Sequence, residues 1–187
     1  MSGKKPPKKK PSRVRIPKSL AWDSREFKSF LSEFTKESDR GAVLIAASLL
    51  DELLKAILKA FFVESKVSTE LLDGFNAPLG SFASRIAAAY ALGLIQKSEF
   101  DEITLIRKIR NQFSHKWKDV TFDSSPIRDF CKRLLASSSV KEKDPRARFY
   151  IALFILLADL LKREQLVSGE RRTSCRWPAK TRDSISS

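Results

Sequence analysis

An arginine, an amide and the only histidine of the chain lie close together, at Arg110, Asn111 and His115. Cleavage of an RNA phosphodiester needs a base for the 2′-hydroxyl, positive charge on the phosphate and a proton for the leaving oxygen. The imidazole suits the base, the guanidinium can hold the phosphate, and the carboxamide, one helical turn before the histidine, can orient the imidazole. Because one histidine serves poorly as both base and acid, this chemistry requires a two-fold dimer that brings two such motifs together.

The same residues also fit a structural role at a helix end. His115 would stack there, and Arg110 would pair across the bundle with Asp51 or Glu52, two carboxylates in the middle of the most apolar segment. An unpaired carboxylate is costly to bury, so we expect a salt bridge from this pair to Arg107 or Arg110. A solvated stripe is the alternative for the two carboxylates, and a ligand-binding or partner-facing role is the third interpretation of the motif.

The net charge of +14 over 187 residues is typical of a nucleic-acid-binding protein. The charge is concentrated at the ends, since residues 1–20 contribute +8, residues 168–187 contribute +3 and residues 21–167 keep only +3. Basic tails can bind the phosphates of a nucleic acid without recognising its base sequence. A localisation signal or a solubility tail fits the same composition. The predicted nucleic-acid contacts are Lys4, Lys5, Lys8, Lys9, Lys10, Arg13 and Arg15.

Composition argues against several other classes of site. One histidine and two distant cysteines, Cys131 and Cys175, give no cluster with zinc spacing, and no Gly-rich phosphate loop occurs. We therefore expect no metal and no cofactor. The cysteine count favours a reducing compartment, and the sequence shows neither a secretion signal nor an apolar run of the ~20 residues that span a bilayer. These features predict a cytoplasmic protein without a membrane partner.

Helical periodicity dominates the chain and no segment reads as a strand, which predicts an all-α fold. We expect five or six helices in an up-and-down bundle that forms one domain over residues 21–167. Residues 1–20 and 168–187 are predicted to be disordered basic tails. The central helix should extend from Ser38 to Val63, Ser81 should cap a later helix, and Asp144 should start a last helix that extends to Leu166. The helix of the motif should bury one face, which consists of Ile103, Ile106, Ile109 and Phe113.

Five blocks occur in order in the middle of the chain. They are residues 37–41 (ESDRG), 46–51 (AASLLD), 75–82 (FNAPLGSF) with Arg85, 89–95 (AYALGLI), and 106–111 (IRKIRN) with Phe113 and His115. Together, over about residues 25–136, they resemble the mannitol operon repressor family of bacterial regulators. The resemblance implies an all-helical, dimeric intracellular protein linked to transcriptional control.

A looser resemblance rests on Arg110, Asn111 and His115 alone. An arginine, a polar residue and a histidine four to six positions after the arginine resemble the signature of the HEPN superfamily of helical bundles. Catalytic members of that superfamily look like metal-independent endoribonucleases, whereas many relatives resemble non-catalytic partners of other proteins. The resemblance implies a HEPN-like bundle and leaves both functions open.

Two hypotheses follow. The first is a regulatory binding protein with a HEPN-like core, which acts in transcriptional regulation as a dimer through a protein partner or through contacts of its tails with DNA or RNA. We find no helix-turn-helix with an exposed basic second helix, so these contacts are assigned to the tails. The alternative is a metal-independent endoribonuclease. It would use Arg110, Asn111 and His115 as catalytic residues, supported by Asp51, Glu52 and Arg107.

Overall fold

A computed structural model of the chain describes residues 24–115, 119–135 and 141–175. Within these residues the chain forms eight helices and no strand, which confirms the predicted all-α fold. The number exceeds the five or six expected because residues 66–72 form a helix of their own and the last predicted helix is divided in two. The helices are α1 (Ser24–Phe34), α2 (Asp39–Phe61), α3 (Lys66–Leu72), α4 (Phe82–Ala91), α5 (Lys97–His115), α6 (Ile127–Arg133), α7 (Pro145–Leu160) and α8 (Arg163–Ser168).

The central helix is α2, as its apolar sequence predicts, and it packs against α4, α5, α7 and α8. Ser38 caps its start, since the serine hydroxyl accepts the N–H of Gly41 at 3.1 Å. The next residue, Asp39, makes contacts outside the helix. Its carboxylate lies 3.0 Å from the guanidinium of Arg146 in α7 and accepts the backbone N–H of Phe122 at 3.1 Å. The beginning of α2 therefore joins two later parts of the chain.

The motif helix, α5, packs against α2, α4, α6 and α7. Its buried face contains the four predicted residues, which are Ile103, Ile106, Ile109 and Phe113. Its last turn is fixed to the start of α2, because the guanidinium of Arg40 donates a hydrogen bond to the carbonyl oxygen of Phe113. Carbonyl groups in the last turn of a helix lack an intrahelical donor, so this contact satisfies one of them. The end of α5 thus has a defined position relative to α2.

The connection from α3 to α4 places the start of α4 beside α2. Gly74 has a φ of 118°, in the region that favours glycine. Gly80 permits a close approach, because a Cβ atom there would lie 2.9 Å from the carbonyl oxygen of Ala77. Ser81 then caps α4 as predicted, and its hydroxyl accepts the N–H of Ser84 at 3.1 Å. These residues fix where the free N-terminal amides of α4 lie.

A charged residue holds the start of each C-terminal helix, α7 and α8. Asp144 caps α7 as predicted and accepts the N–H of Ala147 at 2.7 Å. The continuous helix expected up to Leu166 is divided, however, and α8 begins at Arg163. The Arg163 guanidinium lies 2.8 Å from the carboxylate of Glu99 in α5, which ties the start of α8 to that helix.

The contacts of the helical body continue beyond residue 167, where the sequence predicted a tail. The N–H of Arg172 donates to the carbonyl oxygen of Phe61 at 2.8 Å, and the guanidinium of Arg171 lies 2.9 Å from Glu64. The disorder predicted for residues 1–20 and 176–187 concerns positions outside the described residues. Among the helices described, none combines the length and apolarity that crossing a bilayer requires.

Candidate functional site

The motif residues divide between a cleft and a helix end. Arg110 and Asn111 line a cleft beside α5, and the Arg110 guanidinium donates to Oδ1 of Asn111 at 3.3 Å. His115 is the last residue of α5, is exposed, and is not one of the residues that line the cleft. The structure therefore brings the arginine and the amide into one site and places the imidazole outside its lining.

The cleft lies between α2, α5 and the N-terminus of α4, and its volume is about 400 Å³. This volume is within the range of sites that hold small molecules, roughly 300–1,000 Å³. Its lining consists of Ala47, Ser48 and Asp51 from α2, Gly80, Ser81, Phe82 and Ala83 from the start of α4, and Arg107, Arg110 and Asn111 from α5. Four of the predicted site residues, from two separate parts of the sequence, thus share this cleft, namely Asp51, Arg107, Arg110 and Asn111.

Asp51 forms an ion pair, but with a different cation from the one expected. Its Oδ1 atom lies 2.9 Å from Nη1 of Arg85 in α4, and within the described ranges neither Arg107 nor Arg110 forms a salt bridge. The prediction that Asp51 pairs with one of those two arginines is therefore wrong. Arg85 is only 6% exposed, so its charge needs a buried counterion, whereas Arg107 and Arg110 retain access to water. Glu52 is exposed and forms no salt bridge within the same ranges.

Arg85 also holds the loop in front of α4. Its Nε atom donates to the carbonyl oxygen of Leu79 at 2.9 Å, and its Nη2 atom donates to that of Leu72 at 3.0 Å. A guanidinium has five N–H donors in a rigid planar arrangement, so one side chain can join several segments. Arg85 therefore positions the N-terminus of α4 against α2 and α3.

Burial raises the pKa of Asp51 above the ordinary range of an aspartate. The positive charge of Arg85 and its hydrogen bond lower the pKa, and the nearby charge of Glu52 raises it further. Because the desolvation effect dominates, the net shift is upward. The carboxylate of the cleft is consequently easier to protonate than a solvated aspartate.

The lining of the cleft suits the binding of an anion. It combines two guanidiniums, one amide and the first backbone N–H groups of a helix, all of which donate hydrogen bonds. Among the described lining residues there is no histidine or thiol, so a general base that works near neutral pH would have to come from elsewhere. The endoribonuclease hypothesis stays a prediction, and so does the looser resemblance to the HEPN superfamily.

Sequence reasoning assigned no role to two arginines that form ion pairs between helices. Arg85 lies one helical turn before the buried Ala89, and this spacing places a charge on an apolar helix face. That pattern is the signal for a buried ion pair. Arg163 is the second residue, and its partner Glu99 is 6% exposed. Glu99 also accepts the backbone N–H of Gln96 at 2.6 Å, so one carboxylate connects the start of α5 to α8.

The other predicted sites are not tested by these contacts. The cations assigned to nucleic-acid binding lie outside the described residues; they are Lys4, Lys5, Lys8, Lys9, Lys10, Arg13 and Arg15. Within the described part of the chain, no three His, Cys, Asp or Glu side chains are grouped so that they could hold a metal ion.

Comparison with known proteins gives a consistent assignment. The family model described as mannitol repressor matches residues 32–168. Two curated proteins named Mannitol operon repressor, from Escherichia coli strain K12 and Escherichia coli O6:H1 strain CFT073, are each 26% identical to the chain over 93 residues. Each alignment covers 47% of this chain and 47% of the relative, so the chain spans about half the length of the curated relatives it matches. No solved structure matches the chain at a significant level.

Proposed function

We propose that this chain, which belongs to the mannitol repressor family, acts in transcriptional regulation as a helical homodimer, through a protein partner or through nucleic-acid contacts of its basic tails. The observation that carries the proposal is the family match over residues 32–168, because it covers α2 to α8 in full. The names of the two curated relatives support a role as a repressor.

The packing of the motif helix supports a role for the tails in any contact with DNA. A recognition helix must enter the major groove with one face exposed. In the described structure α5 packs against four other helices, and its first turn is occupied by the Glu99 contacts. Residues 1–20 contribute +8 of the total charge of +14. Contacts made by these cations would be electrostatic and would weaken as the salt concentration rises.

Transcript profiling tests the regulatory role. Cells that lack the chain are compared with cells in which it is restored, and we expect the transcripts of a small set of genes to rise in its absence. Identical transcript profiles in the two kinds of cell would contradict the proposal. Sedimentation of the purified full chain at micromolar concentration tests the dimer, and a species with the mass of a single chain would remove that part of the proposal.

Duplex DNA binding at several salt concentrations tests the tails. The full chain is compared with a variant in which Lys4, Lys5, Lys8, Lys9 and Lys10 are replaced by glutamine. Each lost phosphate contact should reduce the slope of log K against log salt by about 0.9, so the loss of five contacts should reduce it by up to about 4.5. A matched variant with Lys28, Lys59, Lys108, Lys132 and Lys162 replaced by glutamine should keep the slope. If both variants bind duplex DNA with the same affinity and salt dependence as the parent, the N-terminal tail does not contact the DNA.

RNA cleavage distinguishes the proposed role from the enzymatic alternative. Labelled single-stranded RNA incubated with the chain in EDTA should remain intact if the chain is a binding protein. An endoribonuclease would instead give fragments that end in a cyclic phosphate, and His115→Ala would abolish them while leaving helicity unchanged. Cleavage that depends on His115 would therefore replace the first proposal by the alternative.

A further inference from the structure

The charge of the cleft comes from two arginines on one face of α5. Arg107 and Arg110 are three residues apart, so their side chains are neighbours on the helix surface. Both line the cleft, and in the described structure neither forms an ion pair with a carboxylate. Within the described residues, the one polar contact of these two side chains is the 3.3 Å hydrogen bond from Arg110 to Asn111. Two guanidiniums with unused donors therefore face the same space.

The start of α4 adds backbone donors to this space. The Ser81 hydroxyl accepts the backbone N–H of Ser84 at 3.1 Å, and the Ser84 hydroxyl accepts that of Ser81 at 3.3 Å. The N–H of Arg85 donates the first hydrogen bond of the helical backbone, to the carbonyl oxygen of Ser81. The two amides between them, Phe82 and Ala83, have no intrahelical acceptor. Both residues line the cleft. The positive end of the helix dipole therefore points toward the same space as the arginines.

The carboxylate of Asp51 does not cancel this charge. Its Oδ1 atom lies 2.9 Å from Nη1 of Arg85, which is itself buried and is not one of the residues that line the cleft. The ion pair as a whole is neutral. Arg107 and Arg110 thus leave the cleft with a local charge of about +2, which matches a dianion.

We propose that this cleft binds the phosphate group of a small phosphomonoester, held by the guanidiniums of Arg107 and Arg110, the amide of Asn111 and the backbone N–H groups of Phe82 and Ala83. A phosphomonoester carries a charge of about −1.5 to −2 near pH 7 and offers three strong acceptor oxygens. Planar guanidiniums and helix N-termini are the groups that bind such oxygens in proteins. This inference concerns ligand binding alone and does not depend on the proposed regulatory role.

The size and lining of the cleft favour a small ligand over a nucleic-acid strand. A volume of about 400 Å³ is enough for a phosphorylated metabolite. Binding of a single strand instead uses a long positive groove with several aromatic side chains for the bases, and Phe82 is the sole aromatic residue among the described lining residues. The substituent of the phosphate would lie along Ala47, Ala83 and Phe82, which supply the apolar part of the lining.

Titration of the full chain with inorganic phosphate, followed by amide NMR, tests the proposal. We expect the signals of Phe82 and Ala83 and the Nε signals of Arg107 and Arg110 to shift together with one dissociation constant. Glucose 6-phosphate should shift the same signals and compete with inorganic phosphate for the cleft. Unphosphorylated glucose should do neither. Shifts confined to residues 1–20, or a failure of glucose 6-phosphate to move the cleft signals, would overturn the proposal.

Matched variants separate the cleft from the rest of the charged surface. Arg107→Gln with Arg110→Gln should weaken phosphate binding at the cleft amides by at least about tenfold, as loss of charge-assisted hydrogen bonds does. Ser48→Glu, at an exposed lining position, should weaken it through repulsion without removing either arginine. Lys108→Gln is the control, because this exposed cation is adjacent to Arg107 in the same helix but does not line the cleft.

Unchanged thermal midpoints would show that these variants are folded. Equal affinity in the double variant and the parent would contradict the proposal, and so would an equal loss in Lys108→Gln. A short single-stranded RNA provides the remaining comparison. If it moves the signals of Phe82 and Ala83 at lower concentration than glucose 6-phosphate does, the cleft is a nucleic-acid site and the assignment to a small phosphomonoester is wrong.

Discussion

The guanidinium of Arg85 in α4 lies 2.9 Å from the carboxylate of Asp51 in α2, and the same guanidinium donates to two backbone carbonyl oxygens that precede α4. The ion pair is thus part of a junction between α2, α3 and α4. Because the cleft is bounded by α2 and by the start of α4, this junction determines its shape. Arg85 touches no proposed ligand and acts through the backbone that it positions.

We predict that Arg85→Met lowers the free energy of unfolding by about 2–4 kcal/mol. The variant leaves Asp51 without a counterion and two carbonyl groups without donors, and each of these losses is destabilising. Urea denaturation followed by circular dichroism measures the change. Arg133→Met, at an exposed position in α6, is the control and should change stability by less than about 0.5 kcal/mol.

A double-mutant cycle with Asp51→Asn tests whether the pair itself is responsible. In the Asp51→Asn background, Arg85→Met should lower the free energy of unfolding by a smaller amount than in the parent. The difference should exceed about 0.5 kcal/mol, because no uncompensated carboxylate remains. Strictly additive effects would show that the backbone contacts of Arg85 account for its contribution and that the ion pair does not.

Glu99 should contribute much more to stability than Asp101, although both are carboxylates at the start of α5. The side chain of Glu99 is 7% exposed and is paired with Arg163, whereas that of Asp101 is 53% exposed and is paired with Lys97. We predict a loss of about 2–4 kcal/mol for Glu99→Ala and less than about 1 kcal/mol for Asp101→Ala. Thermal and urea unfolding of the two variants give the comparison. Similar losses would mean that the buried pair is not a major source of stability.

Only one of the two thiols should react in the folded protein. Burial raises the pKa of Cys131 to about 12, while Cys175 is exposed. The thiolate is the reactive form, so Cys131 should resist a disulfide reagent at pH 8. We expect one thiol per chain to react in native buffer and two in guanidinium chloride. Cys175→Ser should have no reactive thiol in native buffer, and rapid reaction of that variant would contradict the predicted burial.

Stability should depend on pH through Glu102. Burial raises the pKa of this carboxyl above its ordinary value, although a hydrogen bond from the N–H of Leu135 opposes the shift. Since the folded state favours the protonated form, the stabilisation is present below the ordinary pKa and is lost as pH rises through the raised one. Glu102→Gln keeps an acceptor and removes the charge. Its stability relative to the parent should therefore increase from pH 4 to pH 7.

Urea unfolding of Glu102→Gln and the parent at several pH values measures this difference. The gain at pH 7 should stay below about 1 kcal/mol because the carboxyl is partly solvated. Groups that titrate equally in both proteins cancel in the comparison. A stability difference that does not change with pH would show that burial does not perturb Glu102.

The apolar periodicity of the sequence was sufficient to predict the helices that form the core. The central segment, the buried face of α5 and the caps at Ser81 and Asp144 all follow from local patterns, and the structure confirms them. The division between α7 and α8 was not predictable in this way. It accompanies the contact between Arg163 and Glu99, which are 64 residues apart in sequence.

The candidate site was predicted in part. Asp51, Arg107, Arg110 and Asn111 were selected from charge and spacing, and they do line one cleft. The identity of the partner of Asp51 required knowledge of which helix lies across from it. Periodicity gives the face of each helix but not its neighbour, so the pairing of Asp51 with Arg85 could be recognised only once α4 was placed against α2.

Asp39 and Arg40 connect the first turn of α2 to the start of α7, to Phe122 and to the last turn of α5. Separate elements that share anchors of this kind exchange their amide hydrogens as one cooperative unit, since none of them can open while the others stay closed. That end of the bundle would then unfold locally as one unit, and the exposed His115 would open together with it and not independently.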